Sequence, residues 1–138
     1  MEFSFASPLG DLSAAFDCRC DHLGSVADGD DTHAYETRIT HGDFDEIRAF
    51  LDGYPEIREC RLVECRGETC TVEITVAGAP PGLLAEAGFG LVSLHASDGD
   101  TRLIAEVPND EDVTRVLDAL SEYWDDVELV AKRQTPTR

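Results

Sequence analysis

The stretch Thr101–Lys132, TRLIAEVPNDEDVTRVLDALSEYWDDVELVAK, reads as one structural unit. A strand (Thr101–Val107) leads into an amphipathic helix (Asn109–Tyr123), and a return strand follows (Asp126–Lys132). The helix shows an apolar stripe at Val113, Val116, Leu117, Leu120 and Tyr123, the 3.6-residue spacing of a surface helix. Asn109 or Asp110 stands where a cap is needed. The same unit occurs earlier, between Thr32 and Glu64. There Asp43 opens a helix, with Glu46 three residues on to complete a capping box. Its stripe is Phe44, Ile47, Phe50, Leu51 and Tyr54, and Gly53 with Pro55 ends it. Phe44, Ile47, Leu51 and Tyr54 each precede Val113, Val116, Leu120 and Tyr123 by 69 positions.

Working outward, Glu2–Phe5 alternates as a strand and Ser7-Pro8 breaks it. Leu9–Ala15 reads as a short helical turn, weakened by Gly10. Phe16–Leu23 reads as a strand with Cys18, Cys20 and His22 on one face. Ser25–Asp31 reads as a loop, and His33, Tyr35, Thr37 and Ile39 share a face of the returning strand. Ile57–Cys65 and Thr69–Val76 read as strands around the turn Arg66-Gly67-Glu68. Pro80-Pro81 opens a short helix, Gly82–Ala87, and Phe89–Ala96 is a strand. Ser97-Asp98-Gly99-Asp100 is a two-residue hairpin turn, because Asp-Gly supplies the positive φ angles it needs. The order βαββαβ thus occurs twice. The expected fold is α+β: two tandem ferredoxin-like βαββαβ repeats packed together, residues 1–66 and 67–133, with 134–138 a linker or tail.

Composition bounds the function. The chain has 138 residues, 29 acidic and 11 basic, for a net charge of −18. Such a surface repels phosphate, which excludes direct nucleic-acid binding by this stretch. One Lys against ten Arg favours a protein adapted to a very salty cytoplasm, where screening removes self-repulsion. No run approaches the about 18–20 apolar residues that cross a bilayer, and no secretory signal opens the chain. Five cysteines, an odd number without a CxxC pair, fit a reducing cytoplasm better than a disulfide framework.

Candidate chemistry is sparse. Cys18, Cys20 and His22, with His33 on the partner strand, are of zinc-ligand type; three small core residues is the blander alternative. Cys65 and Cys70 flank the turn between the repeats and are the redox candidates, Arg61 and Arg66 lowering a thiol pKa and Glu64 and Glu68 opposing them. A small enzyme on this scaffold would have His22, His33, Tyr35 and His95 as its inward-facing polar groups. GxSxG, Walker-type and GxGxxG stretches are missing, so no cofactor is expected.

Three segments carry a family resemblance: EFSFASP near the start, the hairpin HASDGDTRLIAEVP, and the ending YWDDVELVAKRQTPTR. Together they resemble the domain that precedes the helix-turn-helix in haloarchaeal transcription regulators of the bacterio-opsin activator type, over residues 2–138. The resemblance implies a non-enzymatic regulatory or sensory domain that binds an effector or dimerises. It further implies a helix-turn-helix DNA-binding domain as partner in the full-length protein, a homodimer and a cytoplasmic location. The chain itself holds no such DNA-binding helices.

Overall fold

The computed structural model describes residues 1–28, 32–77 and 83–131. In chain order these form β1 (Glu2–Ala6), α1 (Pro8–Phe16), β2 (Arg19–Asp28), β3 (His33–Thr40), α2 (Phe44–Leu51), β4 (Ile57–Arg66) and β5 (Thr69–Val76). Then follow α3 (Leu83–Glu86), β6 (Gly90–Ser97), β7 (Asp100–Glu106), α4 (Val113–Ser121) and β8 (Asp125–Ala131). All eight strands join one antiparallel sheet in the order β4-β5-β3-β2-β6-β7-β1-β8.

That order holds a surprise. In a single ferredoxin-like unit the first strand lies between the third and fourth. Here β5 lies between β3 and β4, and β1 lies between β7 and β8. The sheet therefore consists of two quartets, β4-β5-β3-β2 and β6-β7-β1-β8, and each takes one central strand from the other half of the chain. The spatial quartets do not coincide with the segments 1–66 and 67–133. They meet where β2 pairs with β6, over only two residue pairs, Cys20 with Ala96 and Asp21 with His95.

Strand register fixes which side is core. A row of directly paired residues, Cys65, Cys70, Ile39, Cys20, Ala96, Thr101 and Phe5, crosses seven strands on one face. All four helices pack on that face. α1 and α2 contribute Leu12, Ile47 and Leu51 to a cluster over Ile39, Val72 and Ile74. Leu84 of α3 and Val116 and Leu120 of α4 join a second cluster over Phe3, Phe5 and Leu103. The opposite face carries charge: Arg102 donates to Glu2 and Asp100 at 2.6 Å each, and Arg61 pairs with Glu73. Alternation in a sheet forces this division, since period 2 sends successive side chains to opposite sides.

Local chemistry explains the elements. Asp43 caps α2, its carboxylate accepting from the backbone N–H groups of Asp45 and Glu46. The cap expected at Asn109 or Asp110 is displaced: Asn109 opens a 3-10 turn, Asp110–Asp112, without a side-chain cap bond, and Asp112 stands at the start of α4. The β6–β7 turn is as expected, with Asp98 and Gly99 at φ 53° and 84°. α1 is longer than expected because it is fastened to that turn. Gly99 N–H donates to Ser13 Oγ at 3.0 Å, and Ser7 and Thr101 share a hydroxyl hydrogen bond of 2.7 Å. Gly10 is what permits the approach: a Cβ there would meet Thr101 Oγ1 at 2.8 Å.

Bulges produce three departures. β2 runs on to Asp28, through the expected loop, by bulging between His22 and Gly24 and between Ser25 and Ala27. In β6 a bulge between Leu91 and Ser93 shifts the alternation by one. Leu91 and Leu94 then pair with the inward Ala105 and Leu103, and His95, expected inside, faces outward beside Arg102. The helix expected at Gly82–Ala87 is one turn long among the described residues, and the tail 134–138 lies outside them.

Candidate functional site

The core face is not filled evenly. A cavity of about 500 Å³ opens on it where the two quartets meet. One wall comes from the β4-β5-β3-β2 quartet, with His22, Tyr35, Thr37, Ile74 and Val76. The opposite wall comes from the other quartet and its helices, with Phe5, Phe89, Leu94, Leu103, Leu120 and Trp124. The start of α1, Ser7 to Leu9, closes one side and Leu83 and Leu84 of α3 another. Leu91 and Tyr123, 45% and 41% exposed, mark the mouth.

The lining is mostly aliphatic but rich in aromatic rings. Five of the ten Phe, Tyr and Trp residues border the cavity: Phe5, Tyr35, Phe89, Tyr123 and Trp124. Phe5 and Trp124 stack with centroids 4.5 Å apart, and the His22 ring lies 5.5 Å from that of Tyr35. Burial lowers the His22 pKa below 6.5, because desolvation disfavours the imidazolium. The charged lining residues among those described are Glu56 and Glu122, both exposed at the edge. Arg115 approaches Phe89 from the α4 side at 5.2 Å, but it is engaged by Asp112 at 3.3 Å and the Ala87 carbonyl at 2.8 Å.

The zinc-type residues do not converge. Cys18 precedes β2 and is buried, its thiol 3.7 Å from the Leu12 carbonyl. The neighbouring Cys20 thiol lowers the Cys18 pKa, while Cys18 and burial raise that of Cys20. His22 is turned to the cavity, and His33 sits at the far end of β3 opposite Asp28 and Val76. Among the described residues no group of three or more His, Cys, Asp or Glu is arranged to hold a metal. Cys60 faces the first core cluster from β4, and burial pushes its thiol up to about 11. Of the four inward polar candidates, His22 and Tyr35 line the cavity together, while His33 and His95 do not.

Cys65 and Cys70 are directly paired across the β4–β5 hairpin and joined as a disulfide, with Cα atoms 4.2 Å apart. The two-residue turn Gly67-Glu68, with Gly67 at φ 60°, places them opposite one another. A shallow recess beside them is lined by His41, Asp43 and Glu68, and His41 Nδ1 lies 2.9 Å from Glu68. The sequence singles out the cysteines. The cavity it leaves unmarked, because its walls come from both halves of the chain.

An open antiparallel sheet with helices on one face, and a recess between its quartets, defines an α+β domain. Residues 3–138 match the family described as BAT, GAF and HTH_10 associated domain, and the chain belongs to that family, which is found in bacterio-opsin activator-type regulators. No curated protein and no solved structure matches the chain. Among the described residues no helix is long and apolar enough to cross a membrane.

Proposed function

We propose that this domain is the effector-binding module of a cytoplasmic, haloarchaeal transcription regulator, without catalysis, and that the inter-quartet cavity is the effector seat. The sheet is then a pair of ferredoxin-like units that have exchanged first strands. The observation that carries the reading is the cavity itself: its walls belong to both quartets, so an occupant changes how they fit together. Trp124, in its lining, directly precedes β8, the strand leading toward a helix-turn-helix partner. Two hydroxyls of the lining, Ser7 and Thr101, bond to each other. A second copy of the chain is the other partner in this reading, favoured by the exposed Leu23 and Val26 on β2 and Val92 on β6.

A ligand that binds only the folded state raises its melting temperature by mass action. A metabolite screen by thermal unfolding is expected to yield ligands whose effect disappears in Leu91→Trp, a substitution at the mouth. A screen without any shift leaves dimerisation as the domain's role. The disulfide favours one second reading, Cys65 and Cys70 as a thiol redox sensor. Mass spectrometry after graded dithiothreitol would show whether this pair changes state, and a regulator whose output ignores that change excludes it.

A further inference from the structure

The cavity has a chemistry that narrows its occupant, and this inference rests on the reading just given. Its volume of about 500 Å³ falls within the range of small-molecule sites, roughly 300–1,000 Å³. Five of its 25 lining residues are aromatic, against 7% of the sequence. Flat rings stack on such walls, and cations are drawn to their faces. Charge adds an exclusion. The described lining holds no Arg or Lys, and its carboxylates, Glu56 and Glu122, stand at the edge. An anion entering would be desolvated without a counter-charge, at a cost that neutral or cationic molecules avoid. The net charge of −18 adds repulsion from a distance. His22, Tyr35 and Thr37 give one wall hydrogen-bonding groups that set orientation.

We infer that the cavity takes a flat, ring-containing ligand, neutral or positively charged, and rejects carboxylates and phosphate esters of the same size. The Glu56 and Glu122 carboxylates favour the cationic members of the class. Nucleotides and acyl-phosphate metabolites are thereby excluded as occupants.

Three probes with one ring system test this: 2-naphthylmethylammonium, 2-naphthylmethanol and 2-naphthoate, measured by equilibrium dialysis against the whole chain. The ammonium and the alcohol are expected to bind, and the carboxylate to bind at least about ten-fold more weakly. Leu91→Trp should weaken the two binders about ten-fold. Val63→Trp, at a residue equally exposed but outside the lining, should leave them unchanged. Glu122→Gln should lower the preference for the ammonium over the alcohol. Circular dichroism confirms that each variant folds, and Tyr123→Ala replaces Leu91→Trp if that one does not. If all three probes fail to bind, the cavity is not a binding site and the proposed function falls with it. If the carboxylate binds as well as the others, the site stands and the charge rule is overturned. Binding that ignores both mouth substitutions lies elsewhere and overturns the inference.

Discussion

α1 and α3 make the same kind of connection, yet among the described residues they differ in length. Each leads from a central strand of one quartet to the junction strand of the other: α1 from β1 to β2, α3 from β5 to β6. α1 has nine residues and lies across β6 and β7, burying Leu12 completely. α3 has four, enough to pack on β6 and α4. Where α1 roofs its strands, the corresponding ground near α3 is left open, and the cavity lies there, over His22, Tyr35 and Thr37. Among the described residues, the cavity lies beside the connection with the shorter helix. Dense packing elsewhere keeps that space from collapsing.

The placement of β1 and β5, each among strands of the other half of the chain, supplies the largest test of this comparison. Without β5, β3 and β4 would stand two strand spacings apart, about 10 Å, and could not bond. Segment 1–66 alone and segment 67–138 alone are both expected to be unfolded by circular dichroism, and an equimolar mixture to regain a cooperative melt. A cooperative melt of 1–66 by itself would show that β1 can occupy the place of β5. The placement would then be a choice and not a necessity.

A smaller effect separates the crossovers themselves. Leu12→Ala removes a fully buried side chain from the first cluster and should cost about 3 kcal/mol. Leu83→Ala removes a half-buried side chain that already borders open space, and about 1 kcal/mol is expected. Urea unfolding under one salt condition measures both. Equal losses would mean that α3 is as tightly seated as α1, and the account of the cavity would need another origin.

Much of the local structure can be read from the residues. The Asp98-Gly99 turn, the Asp43 cap and the alternation of Cys70, Val72, Ile74 and Val76 each rest on chemistry within a few positions, and each is found. Alternation names the face of a strand but not its neighbour, so the places of β1 and β5 could not be read. A bulge costs the pattern one residue without any composition mark, which is why alternation alone puts His95 on the wrong side. The cavity joins Phe5, Tyr35, Phe89 and Trp124 from four separated segments. The one local hint was the Gly and Pro content before α3, which forecasts a short helix but not what it fails to cover.

His22 offers the finest probe of the open ground, because it is the ionisable ring on the wall that α3 leaves bare. Burial holds its folded pKa below the unfolded 6.5. The neutral ring is therefore favoured by folding. Its contribution is fully present above pH 6.5 and is lost as pH falls toward the folded pKa, because the unfolded chain binds the proton first. Stability should decline on acidification from pH 7 to 5 with a His22 component no steeper than one proton. The His22→Gln variant removes that component while keeping a hydrogen-bonding side chain, so the difference between the two pH profiles isolates it from the carboxylates. A neutral aromatic ligand filling the cavity deepens the desolvation and should enlarge the difference. If the profiles superimpose with and without ligand, His22 is as well hydrated as an exposed histidine, and the wall it belongs to is not the floor of a dry site.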